Sequence, residues 1–140
     1  MNKNEQGWSI LDHPADVMIE VWGASFEQFC RSAARALNHF LGLVVSEEPG
    51  ERIVMDIEGP CPDELIVNLL RELLFYFVTR SLLVTKLGVS GLSGEGMRVE
   101  AIFSPAITGP DSLEIKGITY HGLIVCESDS GYSAKLVFDV

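Results

Sequence analysis

The chain has 140 residues, 47% hydrophobic and 21% charged, which is enough for one domain with a buried core and no staples. Twenty acidic residues against ten basic ones give a net charge of −10. That argues against a domain gripping nucleic acid by counterion release, and it fits a soluble protein that binds cations or a basic partner.

Cys30, Cys61 and Cys126 show neither a CxxC pair nor zinc-ligand spacing, so a reduced, cytoplasmic chain is expected. The first six residues are polar and lack the apolar core of a secretion signal. The longest apolar stretch, residues 65–78, is interrupted by Asn68, Arg71 and Glu72 and is too short and charged to span a bilayer.

In chain order, Val17, Ile19 and Val21 alternate with Met18, Glu20 and Trp22, which predicts a half-buried strand broken by Gly23. Ser25 and Gln28 form a capping box, and Phe26, Phe29, Ala33, Leu37 and Phe40 follow at helical spacing. A first helix is expected over 26–41, ending at Gly42. Residues 52–58 alternate again. Pro62 suits a first helical position, with Asp63 and Glu64 complementing the helix dipole. Leu65, Ile66, Leu69, Leu70, Leu73, Leu74 and Phe77 make the apolar stripe of a second helix. Strands are expected over 82–90, 97–103, 113–127 and 132–140, with a loop at 104–111 and a hairpin turn at Asp129-Ser130-Gly131. The predicted fold is α+β: a single domain over 1–140, with two helices on one face of a mostly antiparallel or mixed sheet of about six or seven strands.

Two acidic motifs stand out. Asp12-His13-Pro14-Ala15-Asp16 leads into the first alternating strand, and Asp139 precedes Val140, where a terminal carboxylate would add a second negative charge. Such a cluster, completed by another acidic side chain, suits a divalent cation. Asp16 also reads as a turn residue bonding backbone amides, and Asp139 as a surface carboxylate. His121 reads as a proton carrier, a ligand or a structural strand residue, and Lys116 as a neutralising cation or a solvated charge. Glu72 lies one turn from Asn68 beside the apolar stripe, and His39 at the end of the first helix reads as structural. No nucleophile triad, P-loop or dinucleotide fingerprint is present.

Several segments together resemble the archease family. They are His13-Pro14-Ala15-Asp16 with Ile19-Glu20-Val21-Trp22-Gly23, then Arg71-Glu72-Leu73-Leu74. They continue with Glu114-Ile115-Lys116-Gly117-Ile118-Thr119-Tyr120-His121-Gly122-Leu123 and end with Val137-Phe138-Asp139-Val140. The ordered set spans nearly the whole chain. It departs from the family's His-Thr-Ala-Asp only in having proline at position 14, which leaves Asp16 in place.

The resemblance implies a small cytoplasmic accessory protein, not an enzyme. It would activate a GTP-dependent RNA ligase in tRNA splicing or RNA repair, promoting guanylylation of the ligase and multiple turnover. It implies a divalent-metal site for calcium at Asp16 and Asp139, with the Val140 carboxylate nearby. Lys116, His121, Glu72 and His13 are the additional candidates. RNA would be reached only through the ligase, and no membrane is involved. The alternative is a chaperone or modulator of another RNA-processing enzyme, such as a tRNA methyltransferase.

Overall fold

A computed structural model describes residues 5–11, 16–46, 48–119 and 122–140. Within them the order is β1 (Gln6–Leu11), β2 (Val17–Gly23), α1 (Phe26–Leu41), β3 (Leu43–Val44), β4 (Glu51–Glu58), α2 (Pro62–Arg80), β5 (Leu82–Ser90), β6 (Gly96–Ile107), β7 (Gly117–Thr119), β8 (Cys126–Ser128) and β9 (Gly131–Asp139).

The strands divide into two antiparallel sheets. The five-stranded sheet runs β1-β2-β9-β7, with β8 also paired to β9. Period-two alternation sets its register. Ile19 faces Leu136 and Val21 faces Ala134, and all four are buried. In the four-stranded sheet β6 is central, flanked by β4, β5 and the short β3. Met97, Val99, Ala101 and Phe103 of β6 point into the core, while Arg98 and Glu100 point away.

The helices join the sheets. α1 packs on β1, β2 and β9 and also runs along β5; α2 packs on β4, β5 and β6 and reaches β7. Phe29, Leu37, Leu65, Leu69 and Leu73 are buried between these layers. The α+β class, the two helices and the antiparallel pairing match expectation. The described strands number nine in two sheets, against one sheet of about six or seven.

The bounds of α1 agree with its sequence signals. Ser25 Oγ accepts from the Gln28 amide (3.1 Å), and Gln28 Oε1 accepts from the Ala24 amide (3.0 Å). Gly42 closes the helix for a different reason from the one expected. Its φ of 173° is extended backbone open to any residue, but a Cβ there would collide with the Ile107 carbonyl, where β3 meets β6. α2 starts with Pro62 as its first residue and ends on Ser81 in the left-handed region (φ 54°).

Polar side chains of α1 hold it against both sheets. Ser32, buried, accepts from the Gly7 amide of β1 (3.0 Å) and lies 2.8 Å from the Trp22 carbonyl of β2 and 3.0 Å from the Gln28 carbonyl. On the other side, Glu27 accepts from the Val89 amide, Arg31 Nε donates to the Leu87 carbonyl and Asn38 Nδ2 donates to the Val84 carbonyl, each at 2.8 Å. These bonds cover the edge of β5 turned away from β6 and stop it from pairing with another chain.

Three local expectations differ. Residues 113–127 form two short strands rather than one long one, because β7 and β8 pair with opposite ends of β9 and the chain leaves the sheet between them. β6 runs on through Pro105 into the expected loop, where β3 pairs with Ala106 and Ile107. β1 is a strand whose pattern is irregular: Gly7 opposes Trp22, and its missing side chain makes room for the indole ring.

The cysteines form no disulfide, and burial pushes the Cys30 thiol up, so it is unreactive near neutral pH. Among the described residues no helix is long and apolar enough to cross a membrane.

Two substitutions test this construction by urea unfolding. Ser32→Ala removes the hydroxyl bonded to partly buried backbone groups of β1 and β2 and should cost about 1–3 kcal/mol. Gly42→Ala keeps an allowed backbone but should cost about 1–3 kcal/mol by overpacking against Ile107. An unchanged midpoint in either variant would contradict the corresponding contact.

Candidate functional site

Val17 of β2 lies opposite Phe138 of β9 as the last pair of their register, so Asp16 and Asp139, each the next residue outward, lie at the same end of the five-stranded sheet. Phe138 is buried, so Asp139, the next residue, points to the other face and is exposed; Asp16 is half-buried. Two carboxylates at one end of the sheet make this row suited to positive charge.

On its other edge Asp139 lies opposite Gly117 of β7. The Lys116 amide donates to the Asp139 carbonyl (2.7 Å), fixing the backbone at this point. The Asp139 carboxylate oxygen sits 3.7 Å from where a Gly117 Cβ would stand, so the glycine leaves space over the acid. β9 therefore runs between β2 and β7, and Asp139 at its end has the bare backbone of Gly117 beside it.

Beside this row runs an open groove of about 520 Å³ between the second half of α2 and β7, and Asp139 and Lys116 are among its lining residues. α2 contributes Arg71, Leu74, Phe75 and Val78. These positions are spaced i, i+3, i+4, i+7 and share one helix face. Arg71 Nη2 donates to the Ile118 carbonyl (3.0 Å), which ties α2 to β7. Phe75 and Val78 are 55% and 69% exposed, unusual for large apolar side chains beside a polar site.

The other expected residues divide. Lys116 is exposed on the groove, and Val140 is exposed just beyond β9. Glu72 is exposed on α2 and is not among the groove's lining residues. His13 and His121 lie outside the described residues. Asp63, read as a dipole partner, also accepts from the Val125 amide (2.9 Å) and anchors the segment between β7 and β8. His39 packs its ring on Trp8 (4.9 Å between centroids), in keeping with a structural role. Sequence reasoning did not single out Arg71, Phe75 and Val78 as a surface; the signal was an α2 stripe running past Leu74 on a face turned away from the core.

Among the described residues no three His, Cys, Asp or Glu side chains converge as a metal cluster. What they provide is a pair of hard carboxylate oxygens donors at the ends of adjacent strands. This donor chemistry fits a calcium- or magnesium-type ion that takes its remaining ligands from carbonyls and water, and does not fit a soft metal.

Comparison with known proteins gives the family and the fold. The sequence model of the archease protein family (MTH1598/TM1083) matches residues 8–140. An archease of Thermoplasma acidophilum is 28% identical over 137 residues, covering 95% of this chain and 93% of its own. An archease of Methanopyrus kandleri is 28% identical over 138 residues, covering 95% and 99%. In fold, the chain is similar to the solution structure of Methanobacterium thermoautotrophicum protein 1598, with a TM-score of 0.75, 20% identity, and 96% and 99% coverage. It is also similar to the crystal structure of a Thermotoga maritima archease described as a possible chaperone, with a TM-score of 0.68, 18% identity, and 100% and 98% coverage. With the family pattern matched from the first strand to the last, the chain belongs to the archease family.

Proposed function

We propose that this archease is a non-catalytic accessory protein that activates a GTP-dependent RNA ligase in the cytoplasm, promoting its guanylylation and repeated turnover in tRNA splicing or RNA repair. The observation that supports the reading is Asp139, at the end of β9, lining the groove that Arg71, Phe75 and Val78 border. An acidic pair bordered by exposed apolar side chains suits docking onto another protein: the apolar groups supply contact area, and the charges set orientation. The net charge of −10 complements a basic, RNA-binding partner and disfavours holding RNA directly.

Asp16 and Asp139 would hold a divalent cation, calcium by preference. When bound, it would supply positive charge to the two carboxylates and stiffen the ends of β2 and β9. Lys116 borders the same groove and would neutralise part of the acidic cluster or meet an anionic group of the ligase.

A second reading is a chaperone or modulator of another RNA-processing enzyme, such as a tRNA methyltransferase. The exposure of Phe75 and Val78 favours it, since apolar surface is what a client-binding protein presents.

Multiple-turnover RNA ligation by the cognate ligase should rise on addition of this protein, and Asp16→Ala and Asp139→Ala variants with native circular dichroism should lose that stimulation. Stimulation that survives both changes would remove the acidic row from the mechanism. No stimulation, with suppressed aggregation of unrelated enzymes instead, would favour the chaperone reading.

The metal is tested separately. Calcium at 100 times its dissociation constant should stabilise the wild type by about 2.7 kcal/mol, seen as a rise in melting temperature that chelator reverses. Asp139→Asn should abolish that rise. An equal rise in wild type and variant would dismiss the assignment.

A further inference from the structure

Four of the chain's ten basic residues line one cleft of about 500 Å³ in this acidic protein. Arg31 and Arg35 come from α1, Lys86 from β5 and Arg52 from β4. The cleft forms where the polar face of α1 stands along the edge of β5, beside the outward face of the four-stranded sheet. It involves the other sheet from the Asp16–Asp139 row and shares no residue with the groove beside it.

Local structure explains the convergence. Arg31, Arg35 and Asn38 lie at i, i+4, i+7 on α1 and share one face. The pairing of β5 with β6 shifts register between Val84 and Lys86, an irregularity that re-aims the strand at the cleft. In the cross-strand row, Lys86 and Arg52 both lie opposite Ile102 of β6, one from each side. The cations therefore gather from three chain segments.

Their charges are incompletely used within the fold. Arg31 pairs with Glu27 (3.0 Å) and Arg52 with Glu100 (3.2 Å), but both pairs are solvent-exposed and contribute little to stability. Arg35 and Lys86 are exposed and form no ion pair among the described residues. Asn38 donates to the Val84 carbonyl, while its Oδ1 is buried without a partner among the described residues. The floor is open at Gly88, where the nearest atom to an added Cβ is a Glu27 carboxylate oxygen at 3.8 Å; Glu27 and Glu100 are the carboxylates that Arg31 and Arg52 already engage.

We propose that this cleft is a binding site for a small phosphate-bearing ligand, of the size of a nucleoside di- or triphosphate. Guanidinium groups match phosphate oxygens with planar, paired donors, and the two exposed ion pairs exchange readily for a stronger anion. The volume lies within the roughly 300–1,000 Å³ of small-molecule sites. Ala34, Val84 and Ile102 provide apolar wall for the rest of the ligand. A nucleic-acid strand is disfavoured, because no aromatic side chain lines the cleft to stack bases.

The test is calorimetric titration of the full chain with pyrophosphate, ATP, GTP and a 5′-phosphorylated single-stranded oligonucleotide. Two variants accompany the wild type: Gly88→Leu, which fills the cleft, and Arg35→Glu with Lys86→Glu, which reverses two charges. The charge-reversed variant should keep the wild-type melting temperature, since Arg35 and Lys86 form no ion pair among the described residues; Gly88→Leu brings a side chain towards Glu27, so its melting temperature is measured alongside. Saturable binding of pyrophosphate or a nucleotide, weakened at least about tenfold in both variants, supports the site; tenfold corresponds to about 1.4 kcal/mol. Absence of saturable binding to wild type overturns it, and so does equal binding by wild type and variants. Binding of the oligonucleotide alone also overturns it, in favour of a strand-binding surface. If a variant melts early, single Arg35→Ala and Lys86→Ala variants carry the same comparison.

Discussion

Everything in this fold depends on α1 satisfying two sheets at once. Its apolar face fills the space against β1, β2 and β9, while Glu27, Arg31 and Asn38 answer the backbone groups along the edge of β5. Ser32 does the same for β1 and β2 from the buried side. Without the helix, one sheet would lose its cover and the other would expose an unpaired strand edge. The helix thus carries polar residues at positions that surface exposure alone would not dictate, and both surfaces discussed above inherit their shape from where it fixes the sheets.

The two surfaces have opposite character. The five-stranded sheet presents an acidic row at Asp16 and Asp139, next to a groove with apolar side chains from α2. The four-stranded sheet presents a cationic cleft against α1. Net charge describes neither of them. Long-range steering follows the overall charge of −10, whereas a ligand at contact distance responds to the few groups within a Debye length, about 8 Å at physiological ionic strength.

What the sequence revealed follows from the range of the interactions involved. The bounds of α1 were legible because Ser25, Gln28 and the apolar spacing act within a few residues. The Pro62 start of α2 was legible for the same reason. Partition of the strands into two sheets was not, because alternation marks which face of a strand is buried without marking which strand lies beside it. β1 escaped because the Gly7–Trp22 packing that sustains it is a cross-strand contact. Asp16 and Asp139 were singled out through family likeness, and the register places the ends of their strands at one end of the sheet. The cationic cleft was hidden: its four cations are scattered over 31–86, and the overall charge pointed away from any cluster of cations.

The placement of β9 has a consequence for synthesis on the ribosome. β9 is the last strand in chain order, yet it lies between β2 on one edge and β7 and β8 on the other. Translation is vectorial, at about 5–20 residues per second, so β1, β2 and α1 emerge several seconds before the strand that completes their sheet. During that interval β2 offers an open edge, with Ile19 and Val21 lacking their partners Leu136 and Ala134. A chain that lacks β9 therefore carries an apolar, unpaired edge on β2, open to pairing with another chain.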